Sequence, residues 1–183
     1  MSNFVFLQDE FQELAQAAQG AEQFVYDYPL GALMCARQTL ESVVWWMYQH
    51  DKTLIEPYDA TLYNLLDTKE FIKLVPEHVR LKMDLLRRSG NGAAHAKGKA
   101  KFVSSDAIKA IQELFLIVTW FERTYGNVAK DRSQPRVFKL DLIPASRLQT
   151  NAIDVSKFQK EQQQKEAEIA QKHAELKQWQ DDL

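Results

Sequence analysis

The chain has 183 residues, 45% of them apolar and 11% aromatic, enough for one domain with a real core or for a domain plus an appendage, and too apolar for a disordered chain or a simple coiled coil. Its formal net charge of −2 excludes a generally cationic nucleic-acid binder. The single cysteine, Cys35, excludes a disulfide framework within the chain and suits a reducing, cytoplasmic setting. No basic segment and long apolar run open the sequence, and no apolar run reaches the roughly 18 residues a bilayer span needs, so a soluble protein with no membrane partner is expected.

Almost every segment predicts helix. Phe4, Leu7, Phe11, Leu14 and Ala18 recur at spacings of three and four, an amphipathic helix ending near Gly20, with a short segment from Ala21 to Tyr26 that stops before Pro29. A long, mostly buried helix follows, with Leu33, Ala36, Leu40, Val43, Val44 and Met47 as its stripe. Arg37 and Glu41 border that stripe four residues apart, either as a simple intrahelical pair or as a buried polar network fixing a neighbouring element. Asp59 is placed to cap a short helix through Leu66, and Thr68 a second through Leu74. Pro76 suits the first turn of a helix running to about Ser89, with Val79, Met83 and Leu86 inward. A last core helix is capped by Ser104 or Ser105, stops at Gly126, and is apolar over a wide arc through Ile108, Ile111, Leu114, Phe115, Val118 and Phe121, which predicts a central place in a bundle. Residues 127–153 contain Pro135, Pro144 and the alternating run "RVFKLDL", expected to be an irregular wrap or linker with a short strand at most. Residues 154–183 predict a polar helix with a thin heptad pattern and no stop signal, a coiled-coil-like spacer through which 155–183 would self-associate.

The charge is uneven. Arg80, Lys82, Arg87, Arg88, Lys97, Lys99 and Lys101 face a single acid, Asp84, between positions 80 and 101. This local +6 against −8 elsewhere is the electrostatic pattern of a polyanion contact, here weak, sequence-independent DNA-backbone binding, since no aromatic residue interleaves the lysines to stack bases. Within it, "RRSGNGAAH" puts Arg88, Asn91 and His95 on one face if the helix is continuous, a guanidinium, an amide and an imidazole suited to holding a phosphate and assisting proton transfer. Gly90 and Gly92 oppose continuity or mark close approach of another backbone. Three readings stay open here: a structural clasp of Asn91 and His95 with Arg37 and Glu41, a polyanion contact, and a catalytic site.

Standard catalytic and metal signatures are absent. There is no CxxC, no HExxH and no nucleophile elbow, and His50, His78, His95 and His173 are widely spaced. The nearest likeness to a phosphate-binding loop, Gly92 to Ala100, has five residues between its glycines and no hydroxyl where magnesium is held. No metal site is expected.

Three blocks in order, "MSNFVFLQDEFQELAQAAQGAEQFVYDYP", "ARQTLESVVWWMYQHD" and "LRRSGNGAAH", resemble the helical domain that begins many bacterial type I restriction endonuclease R subunits, over roughly residues 1–125. That domain is similar to the HEPN superfamily of helical bundles, some of which are ribonucleases with an R-x(4–6)-H motif, a spacing that Arg88 and His95 fit. The restriction-linked family commonly carries its arginine where Arg87 stands and an acid where this chain has Arg88. Gly90, Asn91 and His95 therefore match that pattern better than either arginine, and Arg37 and Glu41 match its "AR…LE" pair.

The resemblance implies an all-α, HEPN-like helical bundle over 1–126, followed by a short irregular or extended segment and the coiled-coil-like helix. It implies a non-catalytic accessory module of an R subunit whose parent cleaves and translocates DNA at the expense of ATP, alongside methylation and specificity subunits. ATP and magnesium would belong to domains of the parent that this sequence lacks. The alternatives are a metal-independent HEPN-type ribonuclease using Arg88 and His95, and a purely structural interaction and oligomerisation bundle.

Overall fold

A computed structural model of the chain describes residues 1–94, 102–126 and 135–146. Over these residues the protein is all-α, with six helices: α1 (Gln12–Gln23), α2 (Pro29–His50), α3 (Leu62–Asp67), α4 (Lys69–Leu74), α5 (Glu77–Ala94) and α6 (Ser104–Tyr125). Single turns of 3-10 helix stand at Val5–Leu7 and Leu140–Leu142. Met1–Ala145 form one compact unit and Ser146–Leu183 a second. The expected spacer helix lies outside the described residues, as do His95, Lys97, Lys99 and Lys101.

The centre of the unit is α2, which packs against α1, α5 and α6. Pro29 opens it, its fixed φ preorganised for a first helical turn. The stripe from Leu33 to Met47 is buried to 1% exposure or less. Across the core, α6 contributes Ile111, Leu114, Phe115, Val118 and Phe121, all buried, while Ile108 is half-buried at the rim. From α5 come Val79, Met83 and Leu86. Side chains of this size each contribute about 1.5–3 kcal/mol on full burial, so the continuous apolar stripe, rather than propensity, holds these helices in place.

Several ends differ from the sequence expectation. α1 does not stop at Gly20: it continues to Gln23 because Ala21 and Glu22 are buried with its stripe. The short separate helix expected from Ala21 is therefore the end of α1, followed by turns. α3 is capped by Thr61, whose hydroxyl accepts from the Asn64 amide at 3.3 Å. Asp59 instead accepts from the Asn64 side chain at 2.8 Å. Thr68 caps α4, accepting from the Phe71 amide at 3.2 Å. Neither Ser104 nor Ser105 caps α6; Ser104 is its first residue, and the Asp106 carboxylate accepts from the Val103 amide at 3.1 Å. Gly126 stands at the stop. Most consequentially, α5 passes Ser89 and runs through Gly90 and Gly92 to Ala94.

Residues 135–143 form no strand. Residues 135–139 lie against the bundle ahead of the 3-10 turn at Leu140–Leu142, with Arg136 over the Phe6 ring at 4.2 Å and Phe138 edge-on to Phe115 at 5.6 Å. Among the described residues no helix is long and apolar enough to cross a membrane.

Candidate functional site

The stretch that concentrates charge and polar groups is the second half of α5, and its position is set by how α5 crosses α2. At the crossing Gly90 is buried beneath the aliphatic part of Arg37; a Cβ at position 90 would stand 2.7 Å from Arg37 Cδ and 2.9 Å from Cγ. The absence of a side chain at position 90 is what lets the backbones approach. Above it, Arg37 Nη1 donates to Glu41 Oε2 at 3.1 Å, and the pair is about one-third exposed. Arg37 Nε is buried and meets no acceptor among the described residues. Asn91, half-buried one residue further along α5, makes no hydrogen bond to Arg37 or Glu41. Of the four residues expected in a polar network, the structure thus joins Arg37 to Glu41 and seats the pair on Gly90; His95 lies outside the described residues.

The described part of the basic run, Arg80 to Arg88, is paired within its own surroundings. Arg80 Nε donates to the Val75 carbonyl at 3.2 Å. Lys82 Nζ is 2.7 Å from Glu113 on α6. Asp84 carries both arginines, Arg87 through Nη2 to one oxygen and Arg88 through Nε to the other, each at 2.7 Å. The two differ in exposure: the Arg87 side chain is 13% exposed, with its guanidinium 5.1 Å from the Tyr63 ring centre, whereas Arg88 is 72% exposed. Neighbouring residues on a helix point about 100° apart, so Arg87 faces α3 and Arg88 faces solvent. Arg88 and Asn91 share a face of the uninterrupted helix, as three-residue spacing requires.

Two clefts flank α2 and α5. One, of about 370 Å³, lies between α5 and α6 on Leu85, Leu86, Phe102 and Ala110, with Asp106 and Lys109 on its rim. The other, of about 500 Å³, lies between the start of α1 and the second half of α2 and includes Trp45 and Trp46. Among the described residues no group of three or more His, Cys, Asp or Glu is arranged to hold a metal ion. Burial raises the Cys35 thiol above its ordinary pKa, which disfavours the thiolate a nucleophile requires.

Sequence reasoning missed three polar contacts. Buried Glu22 accepts from the Asn3 side chain at 2.6 Å, and Asn3 in turn pairs with the Lys139 amide and carbonyl at 2.7 and 2.9 Å. Buried Glu122 pairs with Arg136 at 2.7 Å. The Tyr125 hydroxyl donates to Asp51 Oδ2 at 2.9 Å. The signal for the first two was present: Glu22 lies four residues after Ala18, and Glu122 four after Val118, carboxylates within the apolar stripes of α1 and α6 that must find partners when buried. Compared with known proteins, the chain matches no family model, no curated protein and no solved structure.

Proposed function

We propose that this chain is an accessory helical module of a type I restriction R subunit, acting by contact, with the exposed end of α5 set against a DNA backbone and methylation and specificity subunits as its assembly partners. The restriction assignment rests on the resemblance of the three sequence blocks, with which an all-α bundle agrees. The DNA contact rests on one observation, the 72% exposure of Arg88 beside the 13% of Arg87. An ion pair as open as Arg88–Asp84 is worth about 1 kcal/mol or less, so a phosphate can replace the carboxylate at small cost. Lys97, Lys99 and Lys101 follow in the sequence and extend the same charge. The internal pairing of Arg80, Lys82 and Arg87 narrows the contact to Arg88 and these lysines.

Such binding is electrostatic and independent of base sequence. In fluorescence anisotropy with a short duplex at low salt, wild-type chain binds weakly and loses affinity as salt rises. A variant with Arg88, Lys97, Lys99 and Lys101 changed to Glu does not bind. No affinity of the wild type at low salt overturns the DNA contact.

One observation favours a second reading, a ribonuclease acting through Arg88 and His95. The continuity of α5 through Gly90 and Gly92 keeps Arg88 and Asn91 on one face up to Ala94, the residue before His95. This reading predicts RNA cleavage in the presence of a chelator that is abolished in His95→Ala while the helical circular dichroism is unchanged; equal cleavage by both chains rejects it.

A further inference from the structure

The cleft between α1 and α2 belongs to neither reading. Ser42, Trp45 and Gln49 recur along one face of α2 and line the cleft with Trp46; Glu10, two residues before α1, and Glu13, in its first turn, line it as well. None of its described lining residues is basic. Trp46 is fixed, stacked on His50 at 4.0 Å and edge-on to Phe11 at 5.3 Å. Trp45 is half-buried: it packs against the core, has no ring partner among the described residues, and also lines the cleft. Glu13 is exposed and makes no ion pair among the described residues. An indole face attracts a cation, and a carboxylate beside it adds a charge-assisted hydrogen bond.

We propose that this cleft receives an arginine side chain of a protein partner, the guanidinium lying against Trp45 and donating to Glu13. Arginine fits better than lysine because its flat, weakly hydrated fork stacks on a ring while its edge serves a carboxylate. The Glu13 carboxylate disfavours a phosphate there, so the occupant is protein and not nucleic acid, and the cleft works independently of the DNA contact at the end of α5.

The test uses the full chain labelled with nitrogen-15 and a glycine-serine decapeptide carrying two central arginines. The indole N–H resonance of Trp45, assigned by its loss in Trp45→Phe, is followed during titration. It shifts saturably with the arginine peptide and stays in place with the same peptide carrying citrulline, which keeps the shape and removes the charge. In Glu13→Lys, a surface change that leaves the circular dichroism as it was, affinity falls at least about fivefold, as loss of a charge-assisted contact requires. Equal shifts with arginine and citrulline, an unchanged affinity in Glu13→Lys, or a Trp45 resonance that does not move at millimolar peptide each overturn the proposal.

Discussion

Gly90 of α5 lies directly under the Arg37 side chain of α2, with space for a hydrogen and none for a methyl group. Two residues on, Gly92 has nothing within 4 Å of where its Cβ would be. The two glycines of "GNG" therefore do different things. One sets the distance between two helices, and the other only weakens the helix it sits in.

Alanine substitutions separate them. Gly92→Ala removes glycine's helix penalty and raises stability by up to about 1 kcal/mol. Gly90→Ala gains the same propensity but forces Arg37 and the α2–α5 crossing apart, an overpacking cost of about 1–3 kcal/mol that outweighs it. Urea unfolding followed by circular dichroism should move the midpoint up for the first and down for the second. Adding Arg37→Ala to Gly90→Ala should recover part of the loss, because the colliding atoms beyond Cβ are removed.

Residues 135–143 are held through Arg136 by buried Glu122 and through Lys139 by Asn3, itself bonded to buried Glu22. Arg136→Ala leaves Glu122, which is 0% exposed at its side chain, without its guanidinium. Removing one partner of a buried pair costs about 3–5 kcal/mol; with Arg136 itself 22% exposed, the lower end is expected. The double variant Arg136→Ala with Glu122→Gln should regain part of this, since the buried charge is gone, and a double-mutant cycle measures the coupling. A coupling near zero would mean that the segment is held by its other contacts, the Asn3–Lys139 bonds and the packing of Phe138 and Ile143.

Much of the fold was legible because the apolar stripes are long. Leu33 to Met47, Val79 to Leu86 and Ile111 to Phe121 recur at helical spacing and are buried together, and Thr68 caps α4 as its chemistry suggests. The misreadings have local causes. A glycine costs only about 1 kcal/mol in a helix, so burial of Ala21 carries α1 past Gly20, and packing on Arg37 carries α5 past Gly90. The alternation in "RVFKLDL" did report a surface, since Arg136 and Phe138 turn inward to Phe6 and Phe115. No strand formed because the amide and carbonyl of Lys139 are satisfied by the side chain of Asn3. Nothing local in sequence announces a partner 136 residues away. The basic run read as one face, yet Asp84 and Glu113 pair with Lys82, Arg87 and Arg88, and only the three-dimensional neighbours distinguish Arg88 from Arg87.

Thr61 and Thr68 test how much a cap gains from tertiary contact. Both accept from the backbone amide three residues on, which is worth about 1 kcal/mol when replaced by alanine. Thr68 also lies 2.7 Å from the Tyr48 hydroxyl, which reaches the Leu65 carbonyl at 2.7 Å and so ties α2 to the α3–α4 corner. Thr68→Ala should cost about 2 kcal/mol and Thr61→Ala about 1, the difference being one part-buried hydrogen bond. In a Tyr48→Phe background the two costs should converge; a difference that persists would place the extra stability of Thr68 elsewhere.

The pH profile of stability follows from the junction where α2 and α6 end. Hydrogen bonds from the Thr53 side chain and then its backbone, with a further one from Tyr125, hold Asp51 below its ordinary pKa against a smaller opposing effect of burial. A carboxylate lowered in the folded state contributes stability above its unfolded pKa of roughly 4, and that contribution is lost as pH falls through the folded value. Tyr125 shifts the other way: burial first, then the hydrogen bond and charge of Asp51, raise its phenol well above the ordinary tyrosine range. The neutral phenol is therefore favoured by folding, so its contribution is fully present below the unfolded pKa of roughly 10 and is lost as pH rises through the folded one. Burial also raises Tyr48, which adds to the same alkaline loss. Urea midpoints measured from pH 3 to 11 should fall at both ends. Tyr125→Phe should flatten the alkaline fall without abolishing it, because Tyr48 remains, and should leave the acid fall mostly in place, because Thr53 still holds Asp51. An alkaline fall unchanged in Tyr125→Phe would show that its phenol titrates as it does in the unfolded chain, and that the Tyr125–Asp51 bond does not join the ends of α2 and α6 in solution.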